Sequence, residues 1–280
     1  MSNVIACIDG TEVSTAVCDY SVWASLRLEA PLEFLHVLEK SEYPATSNLS
    51  GSIGLGSREI LLDELAALDE KRGKLAMEQG RHILEVAKKR AIGNGVDDPT
   101  SRQRHGSLIE TLDEMEDAIR LLVLGKQNKH LGEHIGSRLE SVVRTMHRPI
   151  LITTANYKPP QRVMFAFDGS ATSVKGLEMV ATSPLFRSLP CHLVMVGSQT
   201  DVHREQLESA KVALENAGFD APTSLVRGEV ERELRDYRIE HDIDMIIMGA
   251  YGHSVIRRFL VGSTTTSVIR DAQVPVLLLR

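Results

Sequence analysis

The residues best placed to do chemistry lie near the end of the chain. Met245-Ile-Ile-Met-Gly249-Ala-Tyr-Gly252 is followed by nine residues and then by Gly262-Ser263-Thr264. An apolar run feeds a glycine pair, and a second small-residue corner opens a helix. Backbone N–H groups at a helix start, together with the helix dipole, favour an anion such as phosphate. Ser263 and Thr264 add hydroxyl donors, and His253, Arg257 and Arg258 lie in the connecting loop. Taken alone, the glycines fit a tight strand-to-helix turn as well as they fit a phosphate cradle.

A second copy of the pattern decides how to read the first. Val4-Ile-Ala-Cys-Ile-Asp9-Gly10-Thr11 matches Val163-Met-Phe-Ala-Phe-Asp168-Gly169-Ser170, with Ser14 and Ser173 at equal spacing beyond. Further landmarks follow in the same order: 32–38 with 192–196, His105-Gly106 with Arg227-Gly228, Leu121–Gly125 with Ile246–Gly249, and 149–152 with 275–278. Collinear landmarks of this kind mark an internal repeat. The partner of Asp9 lies 159 residues on and the partner of Gly125 lies 124 on, so the first half carries 35 extra residues, placed within 40–75. The seam falls at 153–161, where Asn156-Tyr-Lys-Pro159-Pro160 breaks both helix and ladder. Two domains are expected, 1–156 and 157–280.

Each half reads as alternating strands and helices. In the second half, strands are expected at 162–167, 191–196, 223–226, 244–248 and 274–279. Helices are expected at 170–183, 202–217, 229–241 and 263–272. The strands are near-continuously apolar, as in a parallel sheet covered on both faces. In the first half a long helix is expected over 58–91, preceded by a glycine- and serine-rich surface loop at 47–57. The acidic residues Glu110, Asp113, Glu114, Glu116 and Asp117 suit an exposed helix built around Leu108, Leu112, Met115 and Ile119. Asp63, Glu64, Asp69 and Glu70 with Lys71 and Arg72 suit a solvated helix face.

The ordered set Asp168, Gly249-x2-Gly252-x9-Gly262-Ser263, Val274-Pro275-Val276 closely resembles the ATP-binding type of the universal stress protein family. The first half resembles the same family, so the whole chain looks like a tandem member. The resemblance implies two open α/β domains, each with a five-stranded parallel sheet of order 3-2-1-4-5 and helices on both faces. It also implies a nucleotide-binding, stress-related regulatory role rather than a well-defined reaction, with slow ATP hydrolysis as the most that is expected. It places Asp168 near the ribose or adenine and Val196 backbone groups at the adenine edge. Gly249, Gly252, His253, Gly262, Ser263 and Thr264 would hold ribose and phosphates. ATP is the expected cofactor, with Mg²⁺ able to bridge its phosphate oxygens. The alternatives are a scaffold for another small ligand or a protein, and a weak ATPase or phosphotransferase.

The first half departs from the pattern. Asp9, Gly10, Gly125, Gly136 and Ser137 remain, but Asn128 stands where the second glycine belongs and only seven residues separate it from Gly136. Lys126, Lys129 and His130 keep that loop basic. A degenerate site is expected, with a re-routed loop through Gly132 and a smaller ligand as the runner-up. His130 and His134 have helical metal-ligand spacing, but they flank Gly132 and have no third ligand close by, so a surface role is expected.

Composition narrows the remaining classes. The 280 residues carry a formal charge of −6 and a pI near 5.9, which disfavours a general nucleic-acid binder. No apolar run approaches the roughly 20 residues needed to cross a bilayer, and residues 1–9 do not read as a signal peptide. Three scattered cysteines, Cys7, Cys18 and Cys191, suit a reducing cytoplasm. Walker, dinucleotide, nucleotidyltransferase and S-G-G-x-D-S signatures are missing. The fifth strands, each opened by a proline, would pair across a two-fold in the family's dimers. A tandem chain could satisfy that pairing internally as a pseudo-dimer, and two chains could associate further.

Overall fold

A computed structural model describes residues 2–39, 55–126, 137–249 and 263–280. The first half runs β1 (Asn3–Cys7), α1 (Ser14–Leu28), β2 (Leu32–Leu38), α2 (Leu55–Gly93), β3 (Thr100–His105), α3 (Leu108–Glu114), β4 (Ile119–Gly125), α4 (Ser137–Thr145) and β5 (Ile150–Thr153). The second runs β6 (Val163–Ala166), α5 (Ala171–Thr182), β7 (Cys191–Val196), α6 (Asp201–Asn216), β8 (Thr223–Val226), α7 (Val230–Glu240), β9 (Met245–Gly249), α8 (Ser263–Asp271) and β10 (Val276–Leu279). The strands form one sheet of order β3-β2-β1-β4-β5-β10-β9-β6-β7-β8. Each half contributes the order 3-2-1-4-5, and every pairing within a half is parallel.

The halves join through one antiparallel pairing, β5 against β10, with Leu151 opposite Leu277. Each fifth strand would be an edge in a single domain, and here each is interior and fully buried. Proline suits their start. Pro149 and Pro275 have no N–H to give, but their carbonyls accept from Leu122 N and Ile246 N, at 3.0 Å each. Because the join is antiparallel, the strands of the two halves point their carboxyl ends to opposite ends of the sheet.

Period-2 alternation along the strands builds two apolar layers, one on each face. Tyr20, Phe34, Phe165 and Phe186 lie in the layer beneath α1, α2, α5 and α6. Ile5, Leu122, Ile246 and Leu278 lie in the layer beneath α3, α4, α7 and α8. Both layers run unbroken from one half into the other, and full burial of each large aliphatic contributes roughly 1.5–3 kcal/mol. The seam is pinned as well: Tyr157 packs edge-on against Tyr20 at 4.8 Å, and Lys158 pairs with the buried Asp244.

Apart from shifts of one or two residues at other element ends, two boundaries differ from the sequence reading. Helix α2 begins at Leu55, so Leu55, Gly56 and Ser57 belong to the helix and not to the loop, while 47–54 lie outside the described residues. Helix α3 stops at Glu114, a 3₁₀ turn takes Glu116–Ala118, and Ile119 opens β4. The cause is a distant contact. Glu116 accepts a hydrogen bond from His147 N at 2.6 Å, its carbonyl accepts from Arg148 Nε at 3.0 Å, and Asp117 pairs with Arg148. These two acids therefore fasten the turn before β5 instead of only facing water. The charged face of α2 is as expected: Arg72 pairs with Asp69, Lys74 pairs with Glu70, and all four are exposed.

Candidate functional site

In the second half, β6 lies between β7 and β9. The crossover from β6 leads to β7 on one side, and that from β9 leads to β10 on the other, so their carboxyl ends diverge. Such a switch point is where open α/β sheets usually hold ligands. Asp168 leaves β6 here, one residue after Phe167 N closes the ladder on Val194 O at 2.9 Å. Gly169 then turns with φ of +72°, and Ser170 caps α5 by accepting from Ser173 N. Asp168 Oδ1 accepts from Ser170 N at 2.9 Å. Partial burial pushes the carboxyl pKa up, but hydrogen bonds from Ser170 and Ser173 outweigh it and hold the group below its usual value. Asp168 is an anion at neutral pH.

Val196 ends β7 in register with Val226, and Gly197 N continues that ladder to Val226 O at 2.8 Å. Gly249 ends β9 beside the first turn of α5. A Cβ built at Gly249 would stand 3.4 Å from Thr172 Cγ2 and 3.7 Å from Ser173 N, both ordinary contacts. Asp168, Val196 and Gly249 thus meet at the ends of three neighbouring strands. Ser263 opens α8 as expected, with Thr264 in its first turn. Gly252, His253 and Gly262, and the side chains of Ser263 and Thr264, lie outside the described residues. Thr172 was not singled out in the sequence. Its signal was the repeat itself, which aligns it with Val13.

The matching corner of the first half is built from the same parts but lined differently. Asp9 Oδ1 accepts from Thr11 N at 3.0 Å, Thr11 Oγ1 at 2.6 Å and Ser14 Oγ at 3.0 Å. A cavity of about 340 Å³ opens behind it, with Ile8, Val13, Val17, Leu124 and Val142 among its walls. A Cβ at Gly125 would meet Val13 Cγ2 at 2.7 Å and Val17 Cγ2 at 3.0 Å, so packing alone demands glycine there. Burial first, and then the charge on Asp9, push the Cys7 thiol up to about 12, so this cysteine of the cavity wall is inert. Asn128, Gly132 and Gly136, and the histidine pair His130 and His134, lie outside the described residues.

Lys126 corrects one expectation. The sequence counted it among residues that keep the first loop basic. Its side chain is buried, and Nζ instead donates to the carbonyls of Ile269 at 2.9 Å, Arg270 at 2.7 Å and Ala272 at 2.8 Å. It caps the carboxyl end of α8, the helix whose amino end carries Ser263. Among the described residues no three or more His, Cys, Asp or Glu side chains gather as a metal site, and no helix is long and apolar enough to cross a membrane.

The family model described as "Universal stress protein family" matches residues 1–154 and 192–280. The universal stress protein Slr1230 of a Synechocystis strain is 33% identical over 287 aligned positions that span all of both chains. A universal stress protein from Archaeoglobus fulgidus superposes with a TM-score of 0.72 at 17% identity, covering 99% of this chain and 96% of that one. Another Archaeoglobus fulgidus member, solved in complex with dAMP, matches 43% of this chain and 98% of its own at 21% identity and a TM-score of 0.35.

Proposed function

The chain belongs to the universal stress protein family, and from that premise we propose that it is a stress-related regulatory protein that binds ATP, with Mg²⁺, in a C-terminal domain spanning 157–280. The observation that carries this reading is that packing among the described residues does not account for a glycine at position 249. Its counterpart Gly125 is enclosed by two valines, so there a small residue serves packing. At Gly249 a Cβ would make only ordinary contacts, so packing among the described residues does not by itself require glycine there. The motif Gly249-x2-Gly252-x9-Gly262-Ser263-Thr264 then supplies backbone and hydroxyl donors at the start of a nine-residue helix.

The roles follow from charge. Asp168 is an anion and would repel a triphosphate, so it suits the ribose hydroxyls, which can donate to it. Val196 offers its backbone at the end of β7 for the adenine edge. His253, Gly252, Gly262, Ser263 and Thr264 are assigned to the phosphates. Mg²⁺ needs few protein ligands beside phosphate oxygens. A carboxylate held as an anion by its hydrogen bonds is a weak proton acceptor, which favours binding over hydrolysis at this corner.

The first domain, 1–156, is read as having lost nucleotide binding. A cytoplasmic location fits three free cysteines, two of them buried. With the fifth strands paired within one chain, two chains would associate through other surfaces. Calorimetric titration of the full chain with Mg-ATP should give one site per chain, and Gly262→Val should weaken it by about tenfold or more, or roughly 1.4 kcal/mol. Unchanged affinity in that variant, or two equally tight sites, overturns the assignment.

A further inference from the structure

We infer that the cavity of the first half is a binding site for an uncharged, mainly apolar small molecule, distinct in kind from the nucleotide site proposed for the second half. The inference does not rest on that proposal. It rests on what has been exchanged between two corners of one backbone plan. Thr172, against Gly249, is replaced by Val13, and Thr265 of α8 is replaced by Leu139 of α4. Both replacements turn a hydroxyl into an aliphatic group, and Val13 and Leu139 both line the cavity.

The polar groups of the cavity point the same way. Asp9 already accepts three hydrogen bonds from Thr11 and Ser14. At the mouth, Glu39 at the end of β2 pairs with Arg138 of α4 at 2.7 Å. The described wall thus carries two carboxylates and one guanidinium, and that guanidinium is engaged. Among the described residues the wall offers an anion no unpaired cation, while its aliphatic side chains suit a neutral ligand. The volume is at the small end of ligand pockets, which are mostly apolar with a few polar groups that fix orientation. Ser14 and Asp9 are the groups that would meet a single hydroxyl or amine of the guest.

The test uses the full-length chain and the neutral fluorescent amine N-phenyl-1-naphthylamine. Saturable binding of one dye per chain is expected, unaffected by saturating Mg-ATP. Two variants address the cavity. Val13→Thr/Leu139→Thr restores the second half's residues and should weaken the dye about tenfold by placing hydroxyls in its wall. Val37→Phe adds bulk at the half-buried end of β2, at the margin of a core layer, and should weaken the dye at least as much. Thermal melting confirms that each variant is folded, and if one is not, the other decides. No saturable dye binding, undiminished binding in the folded variants, or displacement by ATP in a Gly262→Val background overturns the inference. Failure of the ATP titration in the wild-type chain would overturn the nucleotide reading instead and leave this one standing.

Discussion

The corner after β4 and the corner after β9 share a strand order, a carboxylate, a glycine and a following helix, yet they use the glycine differently. At Gly125 the absent Cβ lets Val13 and Val17 pack against the strand end. At Gly249 a Cβ would make only ordinary contacts with Thr172 and Ser173. The next residue sharpens the contrast: the sequence has Lys126 after the first glycine and Ala250 after the second. Lys126 reaches out of its own half to hold the carboxyl end of α8. One corner has become a support for the other.

The largest effect should come from cutting that support. Lys126→Met keeps the length and apolar stem but removes a charge that satisfies three helix-end carbonyls. Hydrogen bonds to a charged group contribute about 1.5–3 kcal/mol, and the interaction with the α8 dipole adds to them. A loss of about 2–3 kcal/mol in urea unfolding is expected, together with weaker nucleotide binding through a loosened α8. A Lys126→Met chain with wild-type stability would mean that the two corners are independent.

Next in size is a crossed pair at the glycines themselves. Gly125→Ala drives a methyl into two β-branched side chains held in the core and should cost about 1–3 kcal/mol of stability, with little effect on nucleotide affinity. Gly249→Ala meets only ordinary contacts, so its stability should stay within about 0.5 kcal/mol while Mg-ATP affinity falls. Thermal unfolding and calorimetry on both variants check this. Parallel behaviour of the two variants would erase the distinction between a packing glycine and a ligand glycine.

How legible this was depended on how local the cause is. β7 and β8 end where the sequence reading placed them, because Cys191–Val196 and Thr223–Val226 are apolar or β-branched runs with turn residues on both sides. The order 3-2-1-4-5 came from the family resemblance, and the structure has it in both halves. Asp168 and Gly249 were legible as strand ends, since a short apolar run that stops at Asp-Gly or Gly has few other readings. Ile119 was misplaced because it continues the helical spacing of Leu112 and Met115, and what ends the helix is Glu116 holding His147, 31 residues away. Lys126 was misread for the same reason. Its partners lie 143 to 146 residues on, and a single lysine after a glycine carries no mark of where it will reach.

The smallest effect separates the halves one layer deeper. Glu33 opposite Ile5 and His192 opposite Met164 occupy the same register position on the same face of the sheet. Glu33 is paired with Arg102 at 2.6 Å. His192 shares a 2.9 Å hydrogen bond with the Tyr237 hydroxyl, and the Tyr237 ring stacks on His241 at 3.9 Å. Burial, then the charges of His241 and Arg162, lower the His192 pKa from 6.5, with Asp220 opposing. The fold therefore prefers the neutral imidazole, and the unfolded chain takes up the proton first. Stability is fully present above pH 6.5 and is lost as pH falls from there towards the folded value. The slope is bounded by about 1.4 kcal/mol per pH unit for one proton. Urea midpoints measured from pH 7.5 to 5.5 should decline in the wild-type chain and decline less in His192→Gln, whose amide can still meet Tyr237. An unchanged slope in His192→Gln would place the acid sensitivity elsewhere and leave the two halves alike at this position.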